Sequence, residues 1–139
     1  MPDLDIMDRL RGGETLLLDG GTGSELQRRG ADVLLGATDR LKAWSATANI
    51  EFADVVQQVH QDYLRVGADI IISNNFWTIP SRLEGIGLHD RWQEFAQAAG
   101  ENAVTARQAG NPQAYVAGGI AAPCVGYSGD KPVSDVEYM

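Results

Sequence analysis

Asp19 follows three leucines, Leu16-Leu17-Leu18, and runs straight into Gly20-Gly21-Thr22-Gly23. An apolar run that ends in a carboxylate and a glycine-rich turn places Asp19 at the C-terminal tip of a buried strand. In α/β folds that is where substrates are met. The glycines let backbone N–H groups come close to a ligand. The same residues also fit a plain strand-to-helix turn in which Asp19 only caps the next helix. Two later segments have the same form: Asn74-Asn75-Phe76 follows Ile70-Ile71-Ile72-Ser73, and Gly118-Gly119-Ile120-Ala121-Ala122-Pro123 follows Ala114-Tyr115-Val116-Ala117. Parallel strands would gather all three clusters on one face of a sheet. A carboxylate, side-chain amides and free N–H groups suit a small zwitterion, with the carboxylate taking the amino group and the N–H groups the acid. Phosphate fits less well, because Asp19 would repel it where the glycines bend.

The elements that must position these clusters are legible from periodicity. Thr15 to Leu18 reads as a first strand and Ser24 to Arg29 as a short helix stopped by Gly30. Residues 31 to 48 show no period and read as a long loop carrying Trp44. Asn49 is placed to cap a helix in which Phe52, Val55, Val56, Val59, Tyr63 and Val66 fall at helical spacing, with Gly67 ending it. Ala68 to Ser73, with its β-branched run, predicts a parallel strand buried on both faces. Ser81 and Glu84 have capping-box spacing in a helix kept short by Gly85 and Gly87. Asp90 opens the longest helix, whose stripe is Trp92, Phe95, Ala96, Ala99, Ala103 and Ala106, closed by Gly110. Ala114 to Ala117 predicts a third strand, and Val133 to Tyr138 the start of another element. Strand, helix, strand, helix, strand is a series of βαβ units with a parallel sheet.

Bulk properties narrow the partners. The 139 residues are 44% hydrophobic and 22% charged, an ordinary globular composition. A formal charge of -8 argues against nucleic acid or an anionic membrane as a partner, since both demand a basic surface. With Cys124 the one cysteine, no disulfide forms within the chain. No segment approaches the ~18 apolar residues of a membrane helix, and the acidic start, Met1 to Asp8, lacks the apolar core of a secretion signal. The expectation is a cytoplasmic protein of one domain.

Four motifs in order resemble a known family. Leu18-Asp19-Gly20-Gly21-Thr22-Gly23-Ser24-Glu25-Leu26, then Val59-His60-Gln61-Asp62-Tyr63-Leu64-Arg65-Val66-Gly67-Ala68-Asp69-Ile70-Ile71, then Ser73-Asn74-Asn75-Phe76 and Gly118 to Pro123, look like the N-terminal part of the homocysteine S-methyltransferases. That family includes the betaine–homocysteine and S-methylmethionine–homocysteine enzymes and the homocysteine module of cobalamin-dependent methionine synthase. The resemblance covers residues 15 to 130 and implies a (β/α)8 barrel, of which residues 1–139 would be a partial homocysteine-binding domain: three βα units, an incomplete barrel cut after about the third strand. It also implies methyl transfer to the homocysteine thiol to give methionine, with homocysteine and a methyl donor as partners. A zinc ion held by three cysteines would lower the thiol pKa and supply the thiolate.

Carried across, Asp19 corresponds to the aspartate near the homocysteine amino group, and Gly20 and Gly21 to the backbone that approaches the amino acid. Asn75 stands where the family usually has threonine before an aromatic residue, here Phe76. The family's zinc cysteines come later in the chain. Cys124 matches no zinc-ligand motif, and one thiolate cannot build a three-ligand site. The expectation is therefore a segment with no metal ligands and no catalytic residue of its own, inactive alone, and either associated through open sheet edges as a homo-oligomer or completed by a C-terminal half.

Other residues weigh less. His60 on its helix reads as a packed or surface histidine before it reads as a ligand, and His89 has no partner at metal spacing. Trp92 reads as core, Trp44 and Trp77 as loop residues able to line a site. Gly21-x-Gly23-x-x-Leu26 fails the dinucleotide fingerprint at its third glycine. Two other classes stay open: a non-catalytic amino-acid-binding module, and a different small α/β or phosphate-binding protein using Asp19 and the glycine turn.

Overall fold

A computed structural model describes residues 2, 5–31, 33 and 43–120. The expected loop falls partly outside them, and Cys124 and the element at 133–138 fall wholly outside. In chain order the elements are α1 (Ile6–Arg11), α2 (Thr22–Arg28), α3 (Ala48–Glu51), α4 (Ala53–Arg65), β1 (Ile70–Ile72), α5 (Pro80–Glu84), α6 (Trp92–Gly110) and β2 (Tyr115–Ala117). Single 3-10 turns at Trp44–Ala46 and His89–Arg91 precede α3 and α6.

β1 and β2 pair in parallel, with Ile70 opposite Tyr115, Ile71 opposite Val116 and Ile72 opposite Ala117. The connection between them runs through α5 and α6, as a parallel crossover requires. Three strands were expected and two are present among the described residues. The segment ahead of Asp19 keeps the expected direction but reduces to one parallel bridge, Leu18 to Ile70. Its pairing is closed at each end by a carboxylate: Asp69 Oδ2 accepts the Leu17 N–H at 2.9 Å, and Asp19 Oδ2 accepts the Ile72 N–H at 3.0 Å. Side chains thus occupy positions that a longer ladder would give to backbone.

Helices cover one side of this sheet. Ile71 is fully buried against Leu64, Ala103 and Ala114, whereas Ile70 and Ile72 are half-buried. Burial on both faces, as the β-branched run predicts, is not seen among the described residues, and Leu17 and Leu18 are exposed. The longest helices, α4 and α6, pack on each other and on the strands. On α4 the buried residues are Val56, Val59, His60 and Leu64, a single stripe at three- and four-residue spacing. On α6 they are Phe95, Ala99, Asn102, Ala103 and Ala106. The alanines admit close approach: at the end of α6, a Cβ on Gly110 would stand 3.1 Å from Leu64 Cδ1.

Gly67 ends α4 as expected. Its φ of +103° allows its N–H to reach the Leu64 carbonyl and that of Ala68 to reach Tyr63, a Schellman closure that satisfies the last carbonyls. Gly30 closes α2 in the same way.

Several cap expectations fail. Asn49 lies inside α3, buried, and the chain breaks at Phe52 (φ -135°, ψ 41°) before α4 begins. Ser81 makes no capping bond, because Pro80 starts α5 one residue earlier and Ile79 holds the cap position. Asp90 falls in the 3-10 turn, where its carboxylate pairs with His89. Trp92 is 38% exposed rather than core, because the buried stripe of α6 begins at Phe95.

At the N-terminal end of the strands, α1 is held by Arg9, whose guanidinium reaches Asp69 Oδ1 at 3.0 Å and Glu14 at 2.8 Å. Asp69 therefore ties α1, the Leu17 backbone and β1 together, and these donors hold its carboxyl below the usual carboxylate range.

Candidate functional site

The Leu18 bridge, β1 and β2 run the same way, so the residues after them meet at one edge. Asn75 joins two of these ends. Its Oδ1 accepts the Gly119 N–H at 2.7 Å and its Nδ2 donates to the Gly119 carbonyl at 3.0 Å. Ser73 continues the ladder with its N–H to the Ala117 carbonyl at 2.9 Å, and its hydroxyl donates to Asn75 Oδ1 at the same distance.

Beside this edge lies an open cleft of about 430 Å³. Gly20, Ile72 and Gly119 line it from the three strand ends, and Trp44, Phe76 and Trp77 give it an aromatic wall. Trp77 is buried and the Arg82 guanidinium stacks over its ring at 4.3 Å. Trp44 has a φ of 44°, which a bulky side chain seldom adopts. Its indole is seated on Gly23, where a Cβ would lie 2.0 Å from Nε1. Only a glycine in the first turn of α2 leaves room for that ring.

Of the residues singled out by sequence, Gly20 and Phe76 line the cleft. Asn75 borders it with its amide committed to Gly119. Gly21 precedes α2, and its carbonyl accepts the Glu25 N–H at 3.1 Å. The Asp19 carboxylate, 1% exposed, lies beneath the turn with Oδ2 on the Ile72 N–H. Oδ1 has no partner among the described residues. Burial pushes the Asp19 carboxyl up, against the lowering effect of that N–H. The nearest cationic candidate is His60 on α4, with Nδ1 4.0 Å from Asp19 Oδ2, but burial takes its pKa down to about 4 and leaves it neutral. Tyr63, one turn further along α4, sets its hydroxyl beside Gly20, and burial raises its pKa.

An amide network escaped the sequence reading. Gln57 Nε2 donates to Asn102 Oδ1 (2.9 Å), and Asn102 Nδ2 to the Asn49 carbonyl (2.8 Å). Asn49 Nδ2 then donates to the carbonyls of Ala46 and Asn74, both at 2.9 Å. Asn74 Nδ2 reaches Asn49 Oδ1 (3.0 Å) and the Ser45 carbonyl (2.8 Å), while the Ser45 hydroxyl donates to Asn74 Oδ1 (2.6 Å). Ser45 and Asn74 line the cleft, so the network fixes that wall to α3, α4 and α6. Asn102 interrupting an alanine stripe was the available signal.

Among the described residues no group of three His, Cys, Asp or Glu is placed to hold a metal ion. These residues by themselves do not furnish a zinc centre. Nor is any described helix long and apolar enough to cross a membrane.

Residues 16–136 match the homocysteine S-methyltransferase family. The S-methylmethionine–homocysteine S-methyltransferase of Rattus norvegicus is 33% identical over 83% of the chain and 28% of its own length. The selenocysteine methyltransferase of Astragalus bisulcatus is 38% identical over 56% of the chain and 21% of its own length. Among solved structures, the metallated form of the homocysteine methyltransferase MmuM from Escherichia coli superposes with a TM-score of 0.68 and 28% identity, over 85% of this chain and 42% of that one. The chain thus spans well under half the length of each of these relatives.

Proposed function

The chain belongs to the homocysteine S-methyltransferase family, and on that premise we propose that it forms the amino-acid-binding part of a homocysteine S-methyltransferase: the first βα units of a (β/α)8 barrel. The observation that carries this reading is the meeting of three strand ends at one cleft. There Gly20, Gly119 and Phe76 line the wall, Asn75 holds Gly119 at the border, and the Asp19 carboxylate lies buried against the Ile72 N–H at the same strand ends. In this reading Asp19 receives the homocysteine amino group, and the Gly20-Gly21 turn brings backbone to the amino acid. A buried carboxylate with one backbone donor is under-solvated, so an arriving ammonium group gains more there than at an exposed aspartate. The open face of Ile70 and Ile72 is the side that further barrel strands would cover.

Thiolate activation in this reading needs zinc-holding cysteines from outside the described residues, so the chain alone binds homocysteine and transfers no methyl group. Calorimetric titration of the chain with L-homocysteine tests the first half. Binding that is lost in Asp19→Ala supports the reading, and binding unchanged in that variant removes Asp19 from the site. Methyl transfer by the chain alone from betaine or S-methylmethionine would overturn the second half.

A further inference from the structure

His60 is fully buried, and neither of its ring nitrogens has a partner among the described residues. Asp19 Oδ1, equally buried, has none either. Three unsatisfied polar atoms thus belong to two neighbouring side chains, whereas the buried amides of Asn49, Asn74 and Asn102 are hydrogen-bonded, as such groups normally are. His60 Nδ1 faces Asp19 Oδ2 at 4.0 Å, about 1 Å longer than a hydrogen bond. A neutral imidazole donates from only one nitrogen, and the neighbour of the other decides which.

We propose that His60 is a positioning residue for Asp19: its imidazole carries the proton on Nδ1 and donates it to the carboxylate, fixing the orientation in which Asp19 receives an ammonium group. The last clause rests on the amino-acid reading above; the His60–Asp19 bond does not. The reasons are geometric. α4 delivers Nδ1 to the carboxylate from behind the sheet, while Ile72 holds the same oxygen in the plane of the strands. Two donors converging on Oδ2 fix the plane of the carboxylate and leave Oδ1 as the uncommitted acceptor. The lowered pKa of His60 keeps it neutral near pH 7, so it orients the carboxylate without neutralising it. An ammonium ligand then meets an undiminished negative charge.

The chain contains only two histidines, His60 and His89, so a long-range proton–nitrogen NMR spectrum of the full chain resolves both rings. The expected result is His60 neutral at pH 7 and protonated on Nδ1, with that preference lost in Asp19→Asn. A ring protonated on Nε2 in the unsubstituted chain, or one indifferent to Asp19→Asn, overturns the proposal. Substitution adds a second readout. His60→Asn keeps a donor where Nδ1 stood and should retain homocysteine affinity, whereas His60→Leu should lose about tenfold. Equal losses in both folded variants would reduce His60 to a packing role and overturn the proposal. If the unsubstituted chain binds no homocysteine, the amino-acid reading fails, while the tautomer and its response to Asp19→Asn still decide the role of His60.

Discussion

Asn75 and Gly119 are joined as if both were backbone: the side-chain amide of one donates to and accepts from the peptide groups of the other, at 3.0 and 2.7 Å. Beyond Ile72 and Ala117 the chains leave the ladder, and this side chain carries the pairing on. Asp19 does the same at Ile72. The rim of the cleft is therefore built by side chains acting in place of main chain, and point substitution can unpick it.

Asn75→Ala should destabilise the chain by about 1–3 kcal/mol, since it strands the Gly119 N–H and carbonyl. Asn75→Asp should cost more, because a carboxylate would face the Gly119 carbonyl oxygen. Urea unfolding followed by circular dichroism measures both. Equal stability of Asn75→Ala and the parent would show that Asn75 does not hold the strand ends together.

His60 gives a signed pH dependence. Its folded pKa, about 4, lies below the ordinary histidine value of 6.5, so the unfolded chain binds its proton more readily. Its contribution is fully present above pH 6.5 and is lost as pH falls toward 4. Asp19 runs the other way, since its raised folded pKa makes its contribution fall as pH rises. The charged groups around Tyr63 on this side, Glu25, Arg29 and Asp62, are paired with one another, and Glu25 and Asp62 are held below the ordinary carboxylate range. In Asp19→Asn stability should climb by roughly 1.5 kcal/mol between pH 5 and 6.5, above the ordinary carboxylate range, then level. A flat profile between pH 5 and 6.5 would mean that His60 is not buried as a neutral ring.

The amide network predicts a local effect at a distance. Asn102→Leu leaves the Asn49 carbonyl and the Gln57 amide without partners and should cost about 2 kcal/mol. Hydrogen exchange should speed up at Thr78 and Asn75, whose amides close the turn after β1, before the rest of α6 is affected. Uniform acceleration across α6 would show that Asn102 supports the helix and not the cleft wall.

Leu17 and Leu18, 55% and 57% exposed, flank a segment paired on one side by a single bridge. Such an edge is a template for association. Sedimentation should show the chain self-associating, and Leu18→Lys should reduce that association. A monomer at all concentrations would mean that this edge is already protected.

Periodicity located α4 and α6 well, because burial there follows one face of each helix, the apolar runs located β1 and β2, and Gly67 and Gly30 stop α4 and α2 for a local steric reason. It overran at the first strand, because whether Asp19 and Asp69 bond to neighbouring backbone is a tertiary fact that leaves no mark on the run of leucines. Caps were misread for the same reason: Asn49 has the composition of a cap, yet its amide is drawn to Asn74, twenty-five residues away. The cluster at Asn74-Asn75 was legible as polar. That one amide turns toward the helices and the other toward Gly119 is decided by tertiary partners in a turn, which polarity alone does not record.

Gly23 and Trp44 have a consequence for descent. The indole occupies the volume that any side chain at position 23 would fill, and Trp44 adopts a left-handed backbone to reach it. Neither position can drift by itself: a methyl group at 23 evicts the ring, and a smaller residue at 44 opens a void over the glycine. Lineages that abandon this aromatic wall should therefore change both positions as a pair. That makes the Gly23–Trp44 couple a hereditary marker for the shape of this cleft.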